Sequence, residues 1–317
     1  MVTALCHCDL LYRAEIFPDP GYRAGLVHRV CSYVGEQRKY GNLAVWFASA
    51  CHSAEFAGSV CGGLAYQSIK LMAVTLTTTA RRALAAYGGA QFWRRAQRIF
   101  ATVSVRGLAL VLKNRPFLGW ARLELEIHRP YGVISPVGKN GSTSGILDGQ
   151  DAALANDRDG TMVRRQDARS HFGWNRRLLW WDDLDMAYFA NYAFWNYFTF
   201  PALLLNKSIS WHEPTDGELI ATFSDTIPTH CRTQHFYFSR ETGLLSRLDY
   251  RVNIIGRFTR AAHVVVEHAI MNGVNVPALR RVTPRGPGGT PLPGMVLIEI
   301  RVHEFTVSFD ETTNTPP

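Results

Sequence analysis

AHVVVEHAIM–NG–VNVPALRRV, residues 262–282, decides the fold class of this 317-residue chain. Two β-branched, apolar runs flank Asn272-Gly273, a dipeptide that favours a type I′ turn because both central residues must adopt positive φ. Residues 262–271 and 274–282 are therefore predicted as a β-hairpin. Upstream, 244–255 sets Leu244, Leu248, Tyr250, Val252 and Ile254 on one face and Arg247, Asp249, Arg251 and Asn253 on the other. Strands are also predicted over 218–224, 234–239 and 295–307, with short ones over 145–148 and 161–165. Residues 121–128 alternate Leu123, Leu125 and Ile127 with Arg122, Glu124 and Glu126, a half-buried strand with one solvated face. The β-rich stretch 99–112 completes the set. Hairpin connections at this spacing imply an antiparallel sheet rather than βαβ units.

Between the two groups of strands stands Trp180-Trp181-Asp182-Asp183-Leu184-Asp185, followed by 186–206, which carries no formal charge. Asp185, Tyr188, Tyr192, Asn196 and Thr199 follow one another at intervals of 3, 4, 4 and 3, so they share one helical face, with Asn191 beside them. Pro201 ends or kinks the helix. The rest of its surface is Met, Ala, Phe, Trp and Leu, as expected of a helix buried in protein. It is predicted to lie against the concave face of the sheet rather than across a membrane. A further helix is predicted over 77–97, with Thr residues at its start and Ala83, Leu84, Tyr87, Ala90 and Trp93 at helical spacing. Gly88-Gly89 interrupts it.

Composition, with 47% hydrophobic and 19% charged residues, excludes a disordered or low-complexity chain. The net charge of +8 is unevenly placed. Residues 72–122 hold nine basic side chains and no acid, whereas 123–317 hold 19 basic and 21 acidic groups. No general nucleic-acid partner is therefore expected. Residues 1–71 hold five of the six Cys and show no period of 3.6 or 2. They are expected to form a poorly ordered extension, absent altogether if translation starts at Met72, ahead of a single sheet domain over 72–317. Their start does not read as a secretory signal, and no spanning segment is recognised, which gives a cytoplasmic expectation. The thiols are expected to be free.

Tyr87-Gly88-Gly89 with Trp93 and the following β-run resembles the opening of bacterial lipoprotein-carrier domains of the LolA/LolB type. The blocks Ala187-Tyr188-Phe189-Ala190-Asn191-Tyr192-Ala193, Trp195-Asn196-Tyr197, Thr229-His230-Cys231-Arg232-Thr233-Gln234, Asp249-Tyr250, Ala262-His263 and Arg280-Arg281 are similar to a family of uncharacterised bacterial proteins. The likeness covers roughly 77–308. It implies an α+β fold: a curved antiparallel sheet forming an incomplete barrel, with helices over an apolar hollow.

The candidate functional residues follow from that arrangement. His230 and His263, with Asp249, are candidates for acid–base chemistry, because His titrates near neutral pH. Arg232 and Arg281 would offer fixed positive charge to an acidic ligand. Consecutive Arg280 and Arg281 point to opposite faces, so at most one faces inward. Tyr188, Tyr192, Asn196 and Tyr250 are placed along the hollow as ligand-binding groups. A metal site from His230, His263 and Glu299 is weighed against ordinary histidines and set aside, and no cofactor is expected. The leading reading is a non-enzymatic binder of an apolar or amphiphilic molecule held between sheet and helix. The alternatives are an enzyme using the same hollow, and a peripheral protein contacting anionic membrane through an amphipathic helix in 81–122.

Overall fold

In the computed structural model the described residues are 76–115, 118–137, 141–156, 160, 162–173, 179–256, 258–292 and 294–309. They belong to the compact unit Thr75–Pro317. The expected extension over 1–71 lies outside them.

Helices α1 (Thr78–Ala86) and α2 (Ala90–Arg95) replace the single helix expected over 77–97. Gly88 and Gly89, at φ of 101° and 89°, make the break, and the Trp93 indole N–H, donating to Tyr87 O at 2.7 Å, folds the second helix back on the first. Strand β1 (Ala96–Arg106) then gives way to a short helix, α3 (Leu108–Leu112). That corrects the β-reading of 99–112. The cause is Gly107, at φ 149°, where an added Cβ would stand 2.1 Å from Leu297 O.

Next come β2 (Leu118–Glu126), β3 (Tyr131–Ser135), β4 (Thr143–Asp148), β5 (Asp151–Asn156) and β6 (Met162–Arg165). After them stand the long helix α4 (Asp183–Phe198) and one turn of helix, α5 (Phe200–Leu203). The chain ends in β7 (Ile209–His212), β8 (Glu218–Phe223), β9 (Thr233–Phe238), β10 (Leu245–Arg251), β11 (Arg260–Met271), β12 (Val274–Pro284) and β13 (Ile298–Phe309). All pair antiparallel in one sheet, ordered β6-β5-β4-β3-β2-β1-β13-β12-β11-β10-β9-β8-β7. The fold is α+β, an open curved antiparallel sheet. The β11–β12 turn has Asn272 at φ 49° and Gly273 at 81°, as its dipeptide predicts.

Curvature brings the β4–β6 end of this sheet against the β8–β9 connection. Arg169, just past β6, donates to Thr229 O at 2.7 Å, just before β9, and Gln150 donates to Asp225 O at 3.2 Å. Helix α4 is enclosed by the wrap, with every residue from Leu184 to Phe198 buried. Its start is fixed by a capping box in which Asp182 accepts from Asp185 N–H and Asp185 accepts from Asp182 N–H. The fully buried Asp185 carboxylate also holds Arg165 at 2.7 Å. Among the described residues no helix is long and apolar enough to cross a membrane.

One side of α4 lies directly on the strands. Asn191 donates to Gly145 O at 3.0 Å, and a Cβ on Gly145 would meet Ala187 Cβ at 2.7 Å. Gly145→Ala is therefore expected to force the helix off β4 and to destabilise the fold by about 1–3 kcal/mol, in the range of overpacked cores. Denaturant unfolding checks this; an unchanged midpoint would contradict the close approach.

Candidate functional site

The other side of α4 faces β1, β12 and β13 across an apolar slot. Phe189, Ala190, Ala193 and Phe194 form its helix wall, and Val105, Val282 and Ile300 its sheet wall. Leu110 of α3, 2% exposed, also lines it, while Leu108, Val111 and Leu112 of the same short helix stay in solvent. The free volume is about 30 Å³, whereas pockets for small organic ligands run to roughly 300–1,000 Å³. Aromatic side chains thus occupy the hollow expected from the sequence. The slot is narrow in this structure.

Deeper in the wrap, polar side chains converge on the concave side. His230, 1% exposed, takes Tyr192 Oη at Nδ1, 3.0 Å, and Tyr197 Oη at Nε2, 2.7 Å. Tyr197 Oη meets Tyr250 Oη at 2.8 Å, and the Tyr250 and His230 rings stack at 4.2 Å. One proton order satisfies the chain: Tyr250 donates to Tyr197, Tyr197 to Nε2, and Nδ1–H to Tyr192. Burial pushes the His230 pKa down to about 3, with the Arg169 charge helping, so the imidazole is neutral at physiological pH. It also lifts the Tyr192, Tyr197 and Tyr250 phenols above their ordinary range. His263, equally buried, packs its ring edge-to-face on Tyr197 at 4.4 Å. Both its ring nitrogens lack a hydrogen-bond partner, and burial, then the Arg280 charge, hold it well below the usual histidine range.

Asn196 of the predicted seam serves the same region by donating to Pro228 O at 2.8 Å. Tyr188 donates to Gln150 at 3.1 Å. The remaining expected site residues stand elsewhere. Asp249 lies on the opposite face of β10 from Tyr250, clamped by Arg247 at 3.0 Å and Arg285 at 3.3 Å. It therefore forms no dyad with His230 or His263. Arg232 is exposed beside Asp225. Arg281 faces outward and shares Glu299 with Arg106. Glu299 is thus on the far side of the sheet from both histidines, and the three do not converge.

The inward member of the arginine pair is Arg280, 2% exposed. It donates from Nε to Pro277 O and from Nη2 to Tyr197 O, each at 3.3 Å, and its guanidinium lies over the Tyr197 and Phe198 rings at 5.5 and 5.3 Å. Its position at the C-terminal end of α4 lets the helix dipole carry part of the charge. Burial still lowers its pKa to about 10. Arg280 shares sequence parity with Val274, Val276 and Val282, all buried; that period of two was the available clue.

The basic run 81–122 does not form one amphipathic helix. It spans α1, α2, β1, α3 and the start of β2, and carboxylates take up much of its charge. Arg82 pairs with Asp216, Arg98 with Glu124, Arg106 with Glu299 and Arg115 with Asp183.

No protein-family model and no curated protein matches the chain. Among solved structures it is similar to a DUF1329 family protein from Desulfovibrio piger, at 13% identity and TM-score 0.40, over 74% of this chain and 93% of that one. A LolA superfamily protein from Nitrosomonas europaea aligns at 11% identity and TM-score 0.40, over 73% and 94%. An outer membrane lipoprotein-sorting protein domain from Vibrio parahaemolyticus aligns at 10% identity and TM-score 0.39, over 75% and 92%. The solved structures to which this chain is similar thus include LolA-superfamily domains, whose type of fold the sequence resembles.

Proposed function

We propose that the protein binds an apolar chain, such as the acyl chain of a lipid, in the slot between α4 and strands β1, β12 and β13. The observation that carries this reading is the asymmetry of the helix packing. Toward β3–β5 the helix is held by hydrogen bonds and by contact with glycine backbone. Toward the slot the contact is made by apolar side chains, and among the described residues the Arg280–Tyr197 O hydrogen bond is the polar link from β12 to α4. Parting that side breaks this hydrogen bond and otherwise exposes apolar side chains, which an acyl chain covers again at roughly 25 cal/mol per Å².

One wall of the slot has a matching construction. Leu110 lines it from a five-residue helix whose Leu108, Val111 and Leu112 are exposed, so apolar side chains stand beside the slot to meet a bound chain.

Ala193→Phe is the test, because Ala193 lines the slot and a phenyl ring there occupies the path of the chain. Wild-type protein is expected to bind a fluorescent fatty acid with micromolar or tighter affinity, and Ala193→Phe to weaken it about 10-fold or more. Circular dichroism and thermal unfolding show whether the variant is folded. Equal binding by a folded Ala193→Phe protein, or none by the wild type, would remove the proposal.

A further inference from the structure

We infer that Arg280 receives the carboxylate of an anionic amphiphile whose chain lies in the slot. This rests on the slot reading above and adds the chemical class of the ligand's polar end.

A guanidinium carries five N–H donors, and Arg280 uses two of its nitrogens on backbone carbonyls at the long distance of 3.3 Å. Among the described residues no carboxylate pairs with it. Every other buried carboxylate or guanidinium described above has a partner of opposite charge, so Arg280 is the departure. Taking a cation out of water without a counter-ion is costly, and the helix end and two aromatic faces offset only part of that cost. A carboxylate would complete the balance with two parallel N–H···O bonds, the geometry that the guanidinium fork fits best.

The surroundings point the same way. A second cavity, of about 10 Å³, lies against Arg280, Tyr197, Phe198 and Val276, room for a single water. Tyr197 lines this cavity and also the slot, so one residue borders both. Val282, on the slot wall, is two residues from Arg280 on the same strand and face, a separation of roughly 7 Å. Opposite Val282 on β11 stands His263, buried, with two unpartnered ring nitrogens and its ring against Tyr197. A neutral imidazole offers one N–H donor, which suits the second oxygen of an incoming carboxylate once Tyr197 turns aside. An apolar path ending in a fixed cation and a free N–H donor matches a fatty acid, or another acyl chain ending in a carboxylate.

The test uses the full-length protein with two probes of equal chain length, dodecanoate and methyl dodecanoate, each displacing an environment-sensitive fluorophore. The acid is expected to bind roughly ten- to a hundredfold more tightly than the ester, as a charge-assisted pair of hydrogen bonds requires. Arg280→Gln should bring the acid down to the level of the ester, so that the ratio of the two affinities falls to about one. Equal affinities in the wild-type protein would overturn the assignment of Arg280 while leaving the slot in place. An acid preference that survives Arg280→Gln would overturn it as well. Binding of neither probe would remove the slot reading and this inference together. The wild-type comparison stands even if Arg280→Gln fails to fold.

Discussion

Replacing Trp195 by Ala is expected to lower stability by about 4 kcal/mol, a large share of the roughly 5–15 kcal/mol that holds a typical domain folded. Trp195 is wholly buried at the centre of the wrap, and its indole N–H donates to Glu126 O at 2.7 Å, tying α4 to the end of β2. Alanine removes the largest packed volume on the helix and leaves a carbonyl short of a donor. Trp195→Phe keeps most of the ring and loses the hydrogen bond, for an expected loss of about 1–3 kcal/mol. Guanidinium unfolding followed by near-ultraviolet circular dichroism reads both. A Trp195→Ala protein within about 1 kcal/mol of wild type would mean that α4 is not the core of this fold.

Acid should unfold this protein earlier than its carboxylates alone require. His230 sits at about 3 in the folded state and His263 also lies well below its ordinary value, whereas both titrate near 6.5 when unfolded. The unfolded chain therefore binds more protons than the native one below pH 6.5, and stability falls as pH drops through that range. It is fully present above about 6.5. His230 contributes a loss on the order of 2 kcal/mol by pH 5, and His263 acts in the same direction. His268, held at about 4 by partial burial and the Arg280 charge, acts in the same direction. Thermal midpoints measured from pH 7.5 to 5 should fall steeply, and His263→Gln should flatten the slope by about one proton. A flat profile over that range would contradict burial of the neutral imidazoles.

Much of the architecture is written locally in the sequence. The Asn272-Gly273 turn sets a hairpin, and the alternation of Leu123, Leu125 and Ile127 places β2 with its apolar side inward, where all three are buried. The helix 183–198 is legible from the absence of charge and from its polar seam. The strands β3, β5 and β7 are not, because each spans only four to six residues and Gly132, Ala152 and Ala153 carry no β preference. Strand β10 shows a different limit. The register shift between Leu245 and Arg247 buries Leu245, where plain alternation selects Leu244, and the strand ends at Arg251, with Val252 and Ile254 buried in the following turn.

The candidate site divides along the same line. Tyr192, His230, Tyr250 and His263 could be chosen because they are polar residues on apolar faces, and the wrap brings them together. Asp249 misled because a carboxylate on the outer face of a strand can be fully covered by two arginines. Tyr197 stands off the seam, and its place beside both cavities depends on long-range contacts that no local pattern encodes. Charge in 81–122 looks free only until Asp216, Glu299 and Asp183 arrive from distant segments.

The central claim, that an acyl chain enters between α4 and β1/β12/β13, is tested most directly by NMR with a fatty acid carrying a nitroxide along its chain. The account predicts selective broadening of the methyl signals of Val105, Ala190, Ala193 and Ile300, with Leu147 and Ala152 on the other side of the helix left sharp. Broadening confined to exposed methyls such as those of Val266 and Ile270, or none at all, would contradict it.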